Sequence, residues 1–234
     1  MNNEDAAWVN YRARFAEIYD EANYSSPLQA AVMRASHRLT ERHFDKNDFF
    51  SAVLEIGSGT GEHLNFVRHG FDQYVSTDID AKALEVSKRK SKNFSGGKLL
   101  FETQTGSQLG YADSSFDRLI ATHVLEHIYQ PHLALKEWCR VVKHGGVISV
   151  LIPTDPGVAW RLGRHFGPRK NAMAQGIAYD YVMAREHVNS CNNLVAFIRH
   201  YFPKRTEGWW PLPIASIDLN LFFVCHMTVN KQEN

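Results

Sequence analysis

The sequence predicts an α/β fold, doubly wound about a mostly parallel sheet, with a helical cap ahead of it and an antiparallel hairpin at its C-terminal end. Three observations predict this. From Ala52 onward, short apolar runs alternate with segments of helical period. A glycine-rich turn, Gly57-Ser-Gly59-Thr-Gly61, follows the first of those runs. A later run, Val147–Ile152 (VISVLI), is apolar throughout, as a parallel strand covered on both faces must be.

The elements follow in order. Trp8, Tyr11, Phe15 and Ile18 recur at spacings of three and four, which predicts a helix over residues 6–19. Ser26-Pro27 reads as a cap with proline at the first helical position. The next helix places Leu28, Ala31, Val32, Ala35 and Leu39 on one face. Ala52–Ile56 is the first buried strand, and the glycine turn opens a helix running through Val67 to Gly70. Tyr74–Thr77 is a second strand, after which Asp80 caps a helix. Leu99–Thr103 and Arg118–Thr122 are the third and fourth strands. The helix after Pro131 turns Leu135, Trp138, Cys139 and Val142 to the core, and Gly145-Gly146 stops it. Beyond Pro153, residues 156–179 carry Arg161, Arg164, Arg169 and Lys170 but no acid. A helix with Leu194, Phe197, Ile198 and Tyr201 follows, then the turn-prone WWPLP and a long strand, Leu219–Val229, as part of a hairpin on the sheet edge. No linker divides residues 1–234, so one domain is expected.

Composition narrows the function classes. Lys and Arg number 26 against 25 Asp and Glu, a net charge of +1, so nothing global draws the chain to nucleic acid or an anionic membrane. Cys139, Cys191 and Cys225 are widely spaced and form no CxxC pair, which indicates neither a disulfide framework nor a zinc ribbon and fits the cytoplasm. The start, MNNEDAAW, has no basic or apolar stretch of the kind that opens a secretory signal. No apolar run reaches the roughly 18–20 residues of a membrane span.

The sharpest signal is the glycine turn read with its flanking acids. Glu55 precedes it, and Asp78 lies 21 residues after Gly57, at the tip of the second strand. A carboxylate there accepts hydrogen bonds from both hydroxyls of a ribose. The dinucleotide fingerprint spaces its glycines G-x-G-x-x-G; here the third glycine comes one residue early, and Glu62 occupies the place a glycine would take. A glutamate ahead of the turn suits a cationic ligand better than a pyrophosphate. S-adenosylmethionine carries a sulfonium and an ammonium, and no phosphate.

With these residues in view, VLEIGSGTGEH, TDID, SSFDRLIATHVLEHI and RVVKHGGVISVLIP resemble the ordered motifs of class I S-adenosylmethionine-dependent methyltransferases, most of all the "methyltransferase type 11" group. The resemblance spans residues 50–155 and implies a Rossmann-like, seven-stranded sheet. It divides the chain into a cap (1–50), a cofactor-binding core (51–155) and an acceptor-binding insert with the final strands (156–234). It implies that Gly57, Ser58, Gly59 and Gly61 line the methionine moiety, with Glu55 behind them. Asp78 would hold the ribose and Ile79 would pack on adenine. Gly106 and Ser107 would flank the adenine edge, and Thr122 and His123 would face the methionine end. Family members often carry an acid near the adenine amino group. Here the segment is Thr105-Gly-Ser-Gln-Leu-Gly110, which leaves backbone groups or Thr105 for that contact.

Methyl transfer needs an acceptor aligned with the methyl–sulfur bond and, for a hydroxyl, a base. Three of the 12 histidines are candidates. His123 and His127 stand four apart in THVLEH and would share a helical face; no third ligand is placed with them, so no metal site is expected. His127 could equally cap a helix or pack in the core. His187, in Arg185-Glu-His187-Val-Asn189, falls in the acceptor region; alternatively Asn189 or Ser190 caps the next helix and His187 is structural. The stretch with Arg161, Arg164, His165, Arg169 and Lys170 reads as a solvated face or as recognition of an acidic acceptor. Trp160 and Phe166 within it pack against a ring or an acyl chain, or belong to the core. Trp8, Tyr11, Tyr19 and Tyr24 would close the site as a cap.

The expected activity is therefore transfer of a methyl group to O or N of a small molecule, with a sugar or glycan precursor as the candidate acceptor. Carbon methylation of a quinone or lipid precursor is the nearest variant, and a nicotinamide-dependent reductase is the rival class. A nucleic-acid acceptor is disfavoured, because ATHVLEH stands where amino methyltransferases of DNA bases carry an Asn/Asp-Pro-Pro-Tyr/Phe signature.

Overall fold

The computed structural model describes residues 5–11 and 27–231. Its element order is α1 (Pro27–Glu41), β1 (Ala52–Ile56), a 3-10 turn (His63–Phe66), β2 (Gln73–Asp78), α2 (Ala81–Lys90), β3 (Lys98–Thr103), β4 (Phe116–Thr122), a second 3-10 turn (Leu125–His127), α3 (Pro131–Val141) and β5 (Val142–Pro153). Four helices follow, α4 (Val158–Phe166), α5 (Pro168–Ala174), α6 (Tyr179–Glu186) and α7 (Cys191–Tyr201), and then β6 (Arg205–Trp210) and β7 (Phe222–Thr228). Residues 6–11 are helical, as the Trp8/Tyr11 spacing predicts; the rest of that expected helix and the Ser26 cap lie outside the described residues.

The seven strands form one sheet in the order β3-β2-β1-β4-β5-β7-β6. β1 to β5 run parallel, while β7 is antiparallel to both β5 and β6. This is the doubly wound, mostly parallel, Rossmann-like sheet that the sequence predicts. The strand order reverses between β1 and β4, and such a switch point leaves a crevice at the carboxyl ends of the strands. One face buries Leu54, Leu119, Ile148 and Trp138 with Leu194 and Ile198 of α7. The other carries Val53, Tyr74 and Ile120 with Leu64 and Phe71.

Several elements differ from expectation. The helix after the glycine turn shrinks to the single 3-10 turn His63–Phe66, because His63 and Leu64 are drawn inward and Val67 is already extended. Val142 belongs to β5 rather than to the preceding helix, and positive-φ Gly145 bends that strand instead of ending the helix. Trp209 and Trp210 lie in strand β6, so the turn begins only at Pro211. β7 is shorter than Leu219–Val229 and inserts between β5 and β6.

The face of α1 also differs. The expected stripe through Leu28 and Ala31 is exposed, and the buried side runs through Ala30, Ser36, His37, Leu39, Thr40 and Glu41. Arg118 causes this rotation. It lies fully buried on β4, and its guanidinium reaches both oxygens of Glu41, at 2.9 and 2.7 Å. It also stacks on Phe44, 3.8 Å from the ring centroid, and contacts Ser149 of β5. His63 Nε2 lies 3.0 Å from Glu41 Oε1. Burial opposes the charge on Glu41, but Arg118 and His63 override it and hold the carboxyl well below the usual carboxylate range.

Removing one partner of such a pair leaves the other buried and uncompensated. Glu41→Gln is expected to cost about 3–5 kcal/mol near neutral pH. Because the folded-state pKa is depressed, the contribution is fully present above the ordinary carboxylate pKa and is lost progressively as pH falls from there through the lower folded-state pKa. Urea unfolding of both proteins at several pH values should show the gap narrowing below about pH 4; a gap independent of pH would exclude the charged pair as its source.

Candidate active site

The carboxyl ends of β1, β2, β4 and β5 build the site. After Ile56 the chain turns at Gly57 with φ +67°, and a Cβ there would fall 2.4 Å from Val124 Cγ2, so only glycine fits. Gly59, with φ +52°, donates its amide to Asp78 Oδ2 at 2.8 Å. Asp80 N donates to Asp78 Oδ1, also at 2.8 Å. Each carboxylate oxygen thus accepts one of these backbone bonds and has lone-pair capacity left for a further donor. Burial pushes the Asp78 carboxyl up in spite of these backbone bonds. Ser58 Oγ is buried and meets no hydrogen-bond partner among the described residues.

Glu55 is buried at the end of β1, where it accepts a 2.8 Å hydrogen bond from Tyr74 on β2, and burial pushes its carboxyl up. Tyr74 reads in the sequence as an ordinary strand aromatic; only pairing of β1 with β2 reveals its role. Gly61 departs from expectation. It does not line the cavity but packs on α2, where a Cβ would meet Ser87 Oγ at 2.2 Å. Ile79 follows Asp78 and remains 63% exposed, an apolar face left open beside the carboxylate. Gly106 is fixed by Trp138, whose indole donates to its carbonyl at 2.7 Å. The hydroxyl of Thr105 donates to Gln108 O at 3.0 Å, so it braces its own loop.

These groups open into a cavity of about 1750 Å³. Ordinary small-molecule pockets measure about 300–1,000 Å³, so the space exceeds the needs of one ligand. Glu55, Gly57, Ser58, Gly59, Asp78, Ile79, Gly106, Ser107, Thr122 and His123 all line it, as do His127 and His187. Trp8, Tyr11, Val32, Trp160, Phe166 and Ile177 form an apolar stretch of the same wall. Tyr19 and Tyr24, expected in the cap, lie outside the described residues.

The histidines are arranged differently from expectation. His123 and His127 do not share a helical face, because β4 runs to Thr122, His123 takes φ +58°, and only one 3-10 turn follows. His123 Nε2 lies 3.1 Å from Ser36 Oγ, and burial pushes this imidazole down to about 3. His127 instead meets His187, ring centroids 5.0 Å apart. Burial opposes the charge on His127, but Glu186 and Glu126 outweigh it and raise its pKa. His127 Nδ1 lies 2.9 Å from Glu186 O, and His187 Nδ1 lies 2.9 Å from Asp155 Oδ2. The third group that the sequence did not place is therefore present. Glu126, His127 and His187 each bring one donor-type atom within 4.8 Å of the others. Glu126 was legible as the acid between two histidines in THVLEH. Asp155 was legible by its place just beyond β5.

Ser190 does cap α7, its side chain accepting from Asn193 N. Asn189 instead donates its side-chain amide to Ile128 O at 2.6 Å, tying the His127 loop to the His187 segment. Two residues of the basic stretch are ion-paired. Arg164 pairs with Asp155 at 2.9 Å and Arg169 with Asp180 at 2.8 Å. Trp160 packs edge-on against Phe222, while Phe166 is 76% exposed.

Comparison with known proteins agrees with this geometry. Residues 54–150 match the family described as "Methyltransferase domain". The chain is 28% identical over 149 residues to the PKS-NRPS hybrid synthetase cheA of Chaetomium globosum, covering 60% of this chain and 3% of that one. It is 35% identical over 101 residues to the ubiquinone/menaquinone biosynthesis C-methyltransferase UbiE of Bdellovibrio bacteriovorus, covering 42% of this chain and 43% of the relative. The fold is similar to that of the N-methyltransferase NodS from Bradyrhizobium japonicum, with a TM-score of 0.56 and 16% identity over 85% of this chain and 97% of that one. Among the described residues, no helix is long and apolar enough to cross a membrane. Residues 54–150 thus match a methyltransferase domain, and the fold of the chain is similar to that of a solved methyltransferase.

Proposed function

We propose that this enzyme methylates an oxygen or nitrogen of a small acceptor whose body is largely apolar. One observation supports the reading above all. The glycine turn with Asp78, and the Glu126–His127–His187 cluster, line a single cavity large enough for donor and acceptor together.

The donor side fits the cofactor. Gly57 and Gly59 let the backbone approach the methionine moiety closely, and Ser58 offers its unpartnered hydroxyl there. The Asp78 oxygens, oriented by two backbone N–H groups, accept from the ribose hydroxyls. Ile79 would lie against adenine, Gly106 and Ser107 would flank its edge, and Thr122 and His123 would close the methionine end; all five line the cavity. Glu55 compensates positive charge from behind the turn. When bound, S-adenosylmethionine supplies an electrophilic methyl group on a positively charged sulfur.

On the acceptor side, Asp155 holds His187 by Nδ1, which leaves Nε2 for the acceptor. The apolar stretch of the wall receives the rest of the molecule. Two of the cations expected to recognise an acidic or sugar-like acceptor, Arg164 and Arg169, are committed to Asp155 and Asp180. Carbon methylation of a quinone or lipid precursor is the second reading, favoured by the apolar wall and by the activity named for UbiE. The methyltransferase-domain match over residues 54–150 favours these readings over a nicotinamide-dependent reductase.

Screening a metabolite extract with isotopically labelled methyl donor should label an apolar small molecule; label on a phosphorylated sugar would overturn the acceptor class. Asp78→Ala is expected to weaken S-adenosylhomocysteine binding by about 1–3 kcal/mol in calorimetry, and unchanged affinity would remove Asp78 from the ribose contact. His187→Ala should keep that affinity while slowing turnover about 10²–10⁴-fold; equal rates would remove His187 from acceptor activation.

A further inference from the structure

Glu126 sits in the 3-10 turn after β4 and is 2% exposed. Its Oε2 meets no hydrogen-bond partner among the described residues. An uncompensated buried carboxylate is costly, so something else must face it. What faces it here is imidazole: His127 Nε2 lies 3.8 Å from Glu126 Oε1, and His187 stands against His127.

The outer hydrogen bonds decide which nitrogens are available. Glu186 O is a carbonyl and can only accept, so the His127 Nδ1 contact at 2.9 Å places a proton on Nδ1. The carboxylate of Asp155 likewise holds the proton of His187 Nδ1 at 2.9 Å. With Nδ1 committed, Nε2 is the nitrogen that each ring has left for a ligand. One ligand-type atom from each of Glu126, His127 and His187 lies within 4.8 Å of the others. Histidines tethered through Nδ1 by a carboxylate or a carbonyl are the arrangement that surrounds metal-bound histidines. Asn189 adds a brace by joining the two loops through Ile128 O.

We propose that Glu126, His127 and His187 form a binding site for a divalent transition-metal ion, of the zinc or manganese type, open toward the acceptor side of the cavity. Two nitrogens and one carboxylate with positions left vacant is the donor set of a catalytic rather than a structural site. Ligands about 2.0–2.2 Å from one ion lie roughly 3.3 Å apart. The three donor atoms already fall within 4.8 Å of one another, so modest side-chain rotation brings them together. The proposal rests on the methyltransferase reading and sharpens it. His187 then meets an acceptor oxygen through the ion, which lowers the pKa of a bound hydroxyl.

Calorimetry on the chelator-stripped full chain, titrated with zinc chloride and separately with manganese chloride, tests this. The expected result is one saturable site per chain with at least one metal. Affinity should fall at least tenfold in Glu126→Gln and His187→Ala, and about 10–100-fold in Asp155→Asn, which alters only an outer hydrogen bond. S-adenosylhomocysteine affinity in chelator should stay at the wild-type value in all three, which shows that they fold. Absence of saturable binding, or equal metal affinity in wild type and variants, overturns the metal site. The function proposed above fails separately, if the wild-type chain binds no S-adenosylhomocysteine or if His187→Ala turns over at the wild-type rate.

Discussion

A buried ion pair organises the structure around the site. Arg118 projects from β4 with no access to water, and a guanidinium in that position must find a carboxylate. Glu41 at the end of α1 supplies it, while His63, just beyond the glycine turn, contacts the same carboxylate. Cap helix, central strand and nucleotide turn are therefore held by one set of charges. The cost of leaving any member unpaired explains why α1 buries its polar side. That rotation also brings Ser36 against His123 and places His37 in the cavity wall.

The second constraint is topological. β1 has β2 on one side and β4 on the other, so Gly57, Asp78 and Thr122 emerge at neighbouring positions although far apart in sequence. The register pairs Ile56 with Thr77 and with Ala121, one residue short of each exit. Backbone amides freed at the turn then meet a carboxylate that is already oriented, and little reorganisation remains for binding.

Polar chemistry is confined to a small part of the cavity. Glu126, His127, His187 and Asp155 gather where β4 and β5 end, while Trp8, Tyr11, Val32, Trp160, Phe166 and Ile177 line the same cavity with apolar or aromatic side chains. Arg164 and Arg169 pair with carboxylates of the same segment or its neighbours, and Arg164 helps fix Asp155 beside His187.

The sequence by itself determined the parallel sheet, the glycine turn and the place of Asp78 at the tip of the second strand. These depend on local periodicity and on residue types at fixed spacing, which are written along the chain. The Glu55–Tyr74 bond, the Glu41–Arg118 pair and the Glu126–His127–His187 cluster were decided only in three dimensions. Their members come from different strands and loops, as with His127 and His187, and contacts between distant segments leave no periodic trace. The length of the element after the glycine turn was decided there too. His63 and Leu64 face inward rather than along a solvated helix, because tertiary burial outweighs helical propensity.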